Sequence, residues 1–320
     1  MRLLQLFLLI GFIACSRQSN QENNDNKPEA LSLNFDQGID QNLGDELWLK
    51  NLKSDTSNAG QNCLGVSIRG HIEASQESIN ALIKNGYNAF FFCWSVQYMD
   101  KVLYSTGAEY RNKIDKQFAS SQFPFVGQQG RYEFNQHFPF ANLGLPNGQH
   151  QIKIYLEVFP TRFSTENPDK QHKKLQFIGA DALSSYSFNR EIFSPQLYKG
   201  QVSIKQFDID QTDKRKYDIT LNGKGYPDPF WELETCNQII YSSKPLKNTY
   251  QYTIASETPE FLVSRADTIK IAFYDFDQGP FNAKDLISEW KGTFEDLQKS
   301  KPSMVGSIRK LSLQSQFQKN

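Results

Sequence analysis

Apolar and polar residues alternate along much of this chain, at the two-residue period of a β-strand. The segments 64–69 (LGVSIR), 131–140 (RYEFNQHFPF) and 151–159 (QIKIYLEVF) alternate in this way, and 89–96 (AFFFCWSV) is a dense aromatic run. Turn-forming residues such as Pro146-Asn147-Gly148 separate these runs. The pattern predicts many short antiparallel strands.

Two segments show helical spacing. The segment 75–85 (SQESINALIKN) predicts one short helix, because Ser75 is a typical N-cap and Gly86 follows as a stop. The segment 283–290 (AKDLISEW) fits either a strand or a helical turn, because its apolar residues also fall three and four apart.

The second half of the chain repeats the strand-like pattern. Its candidate strands are 201–208, 216–221, 230–242, 249–254, 268–276, 286–294 and 305–313. About 290 residues follow the N-terminal segment described below, which is enough for two cores. We therefore predict an all-β protein with two antiparallel β-sandwich domains, at residues 32–195 and 199–320.

Composition excludes some classes of function. The 35 Lys and Arg residues equal the 35 Asp and Glu residues, and no basic run is present, so we expect no nucleic-acid partner. The four histidines are scattered, and neither an HExxH motif nor a G-x-S-x-G motif occurs. We therefore expect a protein that is not an enzyme. A hydrolase using paired acids is the alternative, and no residue pair marks a site for it.

The N-terminus has the pattern of an export signal. Arg2 is followed by the apolar run 3–13, which is too short to span a bilayer. The run ends at Ala14-Cys15, and this ending resembles a bacterial lipobox, although Phe12 stands where Leu is usual. The resemblance implies a signal peptide at 1–14 and lipidation of Cys15. The alternative is an ordinary secretory signal.

The next segment, 15–31, is rich in Ser, Gln, Asn and charge, which predicts a flexible tether. An aspartate directly after the lipidated cysteine would resemble an inner-membrane retention signal, but this chain has Ser16 at that position. We therefore expect a protein of the bacterial cell envelope that is held in the outer membrane by its lipid anchor.

Three cysteines remain. An exported protein permits a disulfide, and Cys63 and Cys93 both lie on candidate strands of the first domain. This placement suggests a Cys63–Cys93 pair and leaves Cys236 over. The alternative is that all three are small buried apolar residues. No CxxC pair occurs, so a structural zinc site is not expected.

Acidic residues gather at the end of one candidate strand. Asp275 and Asp277 are two apart, so their carboxylates point the same way in an extended segment, and Asp285 follows. Oxygen ligands that converge on one point are what Ca²⁺ requires. The alternative is that these acids are turn residues that face solvent.

Two segments of the second domain resemble C2 domains, the Ca²⁺- and phospholipid-binding sandwiches of synaptotagmins and protein kinase C. Residues 222–230 (NGKGYPDPF) are similar to the family's D-x-x-G-x-S-D-P-Y segment. Residues 269–297, which contain YDFD, are similar to the strand, acidic loop and next strand of the family. Both occur in the family's order, and the resemblance covers residues 199–320.

The resemblance implies a ligand set for Ca²⁺. It comprises Asn222, Asp228, Asp275, Asp277 and Asp285. Asn222 replaces a carboxylate and so weakens the predicted site, and two extra residues precede Asp285. The family's Lys-rich strand for acidic headgroups is absent from the sequence.

These features predict a membrane-anchored, non-enzymatic binding lipoprotein. Its C2-like domain is expected to bind Ca²⁺ and a membrane phospholipid, a glycan or another envelope protein through the acidic loops. The alternative is a metal-independent structural or accessory lipoprotein that docks onto an envelope complex by strand edges or aromatic patches.

Overall fold

The computed structural model describes most of the chain after the predicted tether. The described residues are 38–44, 46–57, 63–106, 122–125, 130–164, 174–176, 182–211, 226–253, 255–276, 284–299 and 304–320. The predicted signal peptide, Cys15 and the tether lie outside these residues, as do Asn222 and Asp277. None of the helices in the described part has the length and apolarity needed to cross a membrane.

The first part of the described chain is mostly strand. Its strands are β1 (Ile39–Gly44), β2 (Leu47–Ser57), β3 (Gly65–Ala74), β4 (Ala89–Tyr98), β5 (Lys101–Ser105), β6 (Gln122–Pro124), β7 (Arg131–Pro139), β8 (Gly148–Ser164), β9 (Lys174–Gln176) and β10 (Ser184–Ser194). Its helices are α1 (Gln76–Lys84) and α2 (Phe140–Leu143).

The second part follows at once. Its strands are β11 (Leu197–Ile209), β12 (Pro229–Thr235), β13 (Gln238–Ser242), β14 (Gln251–Tyr252), β15 (Ser256–Glu257), β16 (Phe261–Ser264), β17 (Ile269–Phe276), β18 (Lys284–Gly292), β19 (Val305–Gly306) and β20 (Ile308–Lys319). Helix α3 (Phe294–Lys299) lies between β18 and β19.

The first sandwich is built from two antiparallel sheets. One sheet has the order β1-β2-β3-β7, and the other has the order β10-β8-β4-β5, with β6 paired to β4 and β9 paired to β8. The register between β4 and β8 places Trp94 opposite Leu156 and Val96 opposite Ile154. These apolar residues all face the first core, so the period-two pattern has selected the register.

Helix α1 confirms the helix predicted from residues 75–85. The Ser75 side chain accepts a hydrogen bond from the backbone N–H of Ser78, as an N-cap should. Ile79 and Leu82 are buried against the first core, so packing of the apolar face stabilises this short helix.

The second sandwich has its own two sheets and its own core. In one sheet β11 pairs with β14, β15 and β16 and also with β20, and the other sheet has the order β13-β12-β17-β18-β19. Trp231, Leu233, Ile271 and Phe273 are fully buried between these sheets. The two separate cores confirm the predicted all-β sandwich class.

One local prediction is wrong, and one open alternative is excluded. The predicted strand 230–242 is a hairpin, because Cys236 and Asn237 have positive φ angles of 55° and 58° and turn the chain between β12 and β13. The helical alternative for 283–290 fails because Lys284–Gly292 is strand β18. A register irregularity opposite Phe273 and Tyr274 explains the helical spacing of its apolar residues.

Candidate functional site

The predicted acidic site lies at one end of the second sandwich. Asp228 directly precedes β12, whose first residue, Pro229, lies opposite Asp275 of β17. Asp275 in turn lies opposite Asp285 of β18. Strand pairing therefore brings three of the five predicted ligands to the same end of one sheet, although Asp228 and Asp275 are 47 residues apart in sequence.

Hydrogen bonds organise the two buried acids. The backbone N–H of Asp228 donates to Oδ1 of Asp275 over 2.6 Å, and the backbone N–H of Asn248 donates to Oδ1 of Asp228 over 2.6 Å. Asp228 is 5% exposed and Asp275 is fully buried. Asp275, at the end of β17, therefore holds the loop before β12. Asp228, in that loop, holds the loop around Asn248.

Asp285 occupies a different position from the one implied by the resemblance. It is an exposed residue of β18 rather than a loop residue. Its register position is directly opposite Asp275, and like charges that oppose each other across a strand pair are destabilising. A cation bound between them would relieve that repulsion.

The described residues do not complete the predicted site. Among them, the one group of three or more potential ligand atoms within 4.8 Å of one another is formed by Cys63, Cys236 and Asp267. The ligand atoms of Asp228, Asp275 and Asp285 do not form such a group. Because Asn222 and Asp277 lie outside the described residues, the full Ca²⁺ ligand set stays a prediction.

A lysine lies at the same end of the sandwich, on the opposite face of the sheet from Asp275. Lys284 Nζ is 4.4 Å from the centroid of the Tyr274 ring and pairs with Glu232. The pair is partly buried, because the Glu232 side chain is 11% exposed. The sequence pattern does not mark Lys284 as a site residue, and its one visible signal is its position beside Asp285.

A disulfide joins the two sandwiches, and it is not the predicted one. Cys63, just before β3, is bonded to Cys236 in the β12–β13 turn. Cys93 of β4 forms no disulfide and is buried, where it lies opposite Glu157 and packs with Phe91 on the face away from the first core. The predicted Cys63–Cys93 pair is therefore wrong, because the partner of Cys63 comes from the other sandwich.

Asp267 lies beside this disulfide and connects the same two parts of the chain. Its Oδ1 accepts the backbone N–H of Leu64 over 2.9 Å, and its Oδ2 accepts the backbone N–H of Ser264 over 2.6 Å. The residue is fully buried. The two sulfur atoms nearby are bonded to each other, so in this state they are not thiolate ligands for a metal.

Further contacts strengthen this junction. Helix α2 packs against β16, and Leu262 of β16 packs against the first core. The Asn142 side-chain amide donates to the side chain of Gln238 over 3.1 Å. We refer to the region formed by Cys63, Cys236, Asp267 and these contacts as the inter-sandwich junction.

His137 and Ser67 form a buried polar pair in the first sandwich. His137 Nδ1 is 2.9 Å from Ser67 Oγ, and the two residues are 5% and 3% exposed. Burial lowers the pKa of His137 below its usual value of 6.5, although the backbone of Cys63 and the charge of Asp267 act in the opposite direction. A substrate in solution has no access to so buried a pair, so it is not evidence for a catalytic dyad.

The lowered pKa of His137 predicts a loss of stability in acid. The pKa of His137 is higher in the unfolded chain than in the folded chain. At pH values between the folded pKa and 6.5, the unfolded chain therefore binds more protons. The free energy of unfolding should therefore fall as the pH drops below about 6.5. Urea unfolding at about pH 7.5 and about pH 5.5, on either side of that value, tests this, with His137→Gln as the control. We expect a smaller pH effect in the variant, and an equal effect would contradict the assignment.

Comparison with known proteins identifies no family. No family model matches the chain, and no curated protein matches it. A solved structure of extended synaptotagmin 2, which contains its SMP domain and two C2 domains, is similar over 85% of this chain and 83% of that chain, at 8% sequence identity and a TM-score of 0.29. A likeness this low carries no argument about this chain.

Proposed function

We propose that this chain is a membrane-anchored, non-enzymatic binding lipoprotein of the bacterial cell envelope. In this proposal the second sandwich is C2-like and binds Ca²⁺ at the end that carries Asp228, Asp275 and Asp285. The observation that supports it is the placement of two buried carboxylates next to a third acid on the adjacent strand. The bound ion would then recruit a phospholipid surface, a glycan or another envelope protein.

Three carboxylates gathered at one end of the second sandwich repel one another. A buried carboxylate is costly unless hydrogen bonds or a cation stabilise it. Backbone N–H groups supply part of this stabilisation to Asp228 and Asp275. The opposed Asp285 adds a further negative charge, and Ca²⁺ accepts several carboxylates at once. The segments that contain Asn222 and Asp277 would supply the remaining oxygen ligands.

Isothermal titration of the purified full chain with CaCl₂ tests the metal. We expect a dissociation constant of about 10⁻⁴–10⁻³ M, the range of extracellular Ca²⁺ modules. The double variant Asp275→Asn plus Asp285→Asn should give no binding heat. The Asp275→Asn change should not unfold the site, since an amide oxygen in place of Oδ1 still accepts the N–H of Asp228.

A matched control distinguishes loss of the Ca²⁺ site from the general effect of removing a negative charge. Glu260 is exposed and directly precedes β16, which pairs with the beginning of β11. The other end of β11 is near the acidic end, because the Ile209 N–H donates to Tyr250, two residues after Asn248. Glu260→Gln should leave the Ca²⁺ heat unchanged. If the wild-type chain gives no heat, or if the double variant retains it, the Ca²⁺ proposal is wrong. Binding to acidic phospholipid vesicles with and without chelator then tests the membrane ligand.

A metal-independent structural role is the second candidate. The inter-sandwich junction favours it, because a disulfide and the buried Asp267 join the two sandwiches as they would in a docking unit. In this case envelope proteins captured by the full chain would be the same with and without chelator. Loss of the captured partner in chelator would instead support the Ca²⁺ proposal.

A further inference from the structure

Strand β20 forms a long edge of the second sandwich. It pairs with β11 along its length, and within the described ranges it pairs with no other strand. None of its residues is buried, whereas Val202 and Ile204 of β11, which lie opposite Ser315 and Leu313, are fully buried. Among the described residues no strand pairs with the side of β20 away from β11, and helix α3 contacts β20 where the Phe294 ring stacks on the Phe317 ring.

The direction of the outer backbone groups follows from one hydrogen bond. The N–H of Asn320 donates to the carbonyl of Leu197, so these two residues form a hydrogen-bonded pair in the antiparallel ladder. Hydrogen-bonded and non-hydrogen-bonded pairs alternate along the ladder. Leu313, Ser315 and Phe317 are therefore in non-hydrogen-bonded pairs with β11, and their N–H and C=O groups point away from it. Their side chains are half-buried.

The middle of β20 lacks the charged residues, prolines and bulges that often protect a sheet edge. Residues 312–318 contain neither proline nor charge, and the register opposite them is regular from Leu313 onward. The charged residues Arg309, Lys310 and Lys319 lie only at the two ends. A neutral, regular edge with half-buried apolar residues is a surface for addition of another strand.

We propose that β20 pairs antiparallel with β20 of a second copy of this chain, with the two-fold axis at Ser315. This register places Leu313 opposite Phe317 of the second copy, and Gln314 opposite Gln316 of the second copy. Lys319 then lies opposite an apolar residue, Leu311, so no two charged side chains oppose each other.

The charge pattern excludes the neighbouring register on one side. An axis at Gln314 would place Arg309 opposite Lys319 at both ends of the paired strands, which is destabilising. An axis at Ser315 also makes Ser315 a hydrogen-bonded pair with its own copy, because its N–H and C=O point outward. The strand is thus self-complementary in both backbone and side chains.

Sedimentation velocity of the purified full chain across a range of concentrations tests the dimer. Ser315→Pro removes an outward N–H without removing a hydrogen bond to β11, so it should raise the dimer dissociation constant by about tenfold or more. Ser315→Ala keeps the N–H and should leave the constant unchanged. A wild-type chain that is monomeric at every concentration overturns the proposal.

Cross-linking tests the register and does not depend on proline. Ser315→Cys places two thiols at one directly opposed pair, whose Cα separation of about 5.5 Å permits a disulfide. Gln318→Cys is the control, because its two copies would lie several residues apart along the strands. We expect an oxidised dimer from Ser315→Cys only. Equal cross-linking by the two variants, or none by either, overturns the proposed register.

Discussion

Replacement of both Cys63 and Cys236 by alanine is expected to lower the free energy of unfolding by about 2–5 kcal/mol. The disulfide closes a long loop, because its cysteines are 173 residues apart. Most of its effect comes from the restriction that it places on the unfolded chain, and this restriction grows with loop length. It also links the two cores, so its loss should weaken the coupling between their unfolding transitions.

Urea unfolding with and without a thiol reductant measures this effect. The wild-type chain should lose stability in reductant, and the double alanine variant should not respond to it. Cys93→Ala is the matched control, because Cys93 takes no part in the disulfide. That variant should keep the response to reductant. Equal urea midpoints of the wild-type chain in both conditions would contradict the disulfide.

Asp267→Ala is expected to be about as damaging as loss of the disulfide, at about 2–6 kcal/mol. The substitution leaves two backbone donors, the N–H groups of Leu64 and Ser264, without their acceptor in a buried position. Each orphaned buried donor costs about 1–3 kcal/mol. The first of these donors belongs to the first sandwich, so the loss also loosens the inter-sandwich junction.

Asp267→Asn distinguishes the hydrogen bonds from the space that the side chain fills. The amide keeps one acceptor oxygen and has a similar shape, so we expect about 1–3 kcal/mol, less than for alanine. Thermal and urea unfolding of both variants measure the difference. Equal losses for the alanine and asparagine variants would mean that the hydrogen bonds do not explain the effect.

The two predictions are coupled because the residues are neighbours. The Cys63 and Cys236 sulfur atoms and a carboxylate oxygen of Asp267 lie within 4.8 Å of one another. Substitutions in contact are not additive, so the triple variant should lose less than the sum of the separate losses. A fully additive result would show that the disulfide and the carboxylate stabilise the chain independently.

The acidic end of the second sandwich shows how far local pattern extends. The alternation of Ile269, Ile271 and Phe273 places Asp275 at the end of a strand, which the structure bears out. Asp285 follows in the same acidic segment, the resemblance to C2 domains adds Asp228, and strand pairing brings both next to Asp275. Neither the pattern nor the resemblance shows that Asp228 and Asp275 are buried and accept hydrogen bonds from backbone N–H groups. Those contacts depend on loops that are distant in sequence.

The sequence by itself determined the all-β class and helix α1, because strand and helix periods are local properties of the side chains. Only the tertiary structure decided the partner of Cys63 and the role of Asp267. Both depend on which surfaces of two separate cores meet, and no pattern within either segment records that. The identity of β18 as a strand was decided in the same way, by pairing with β17.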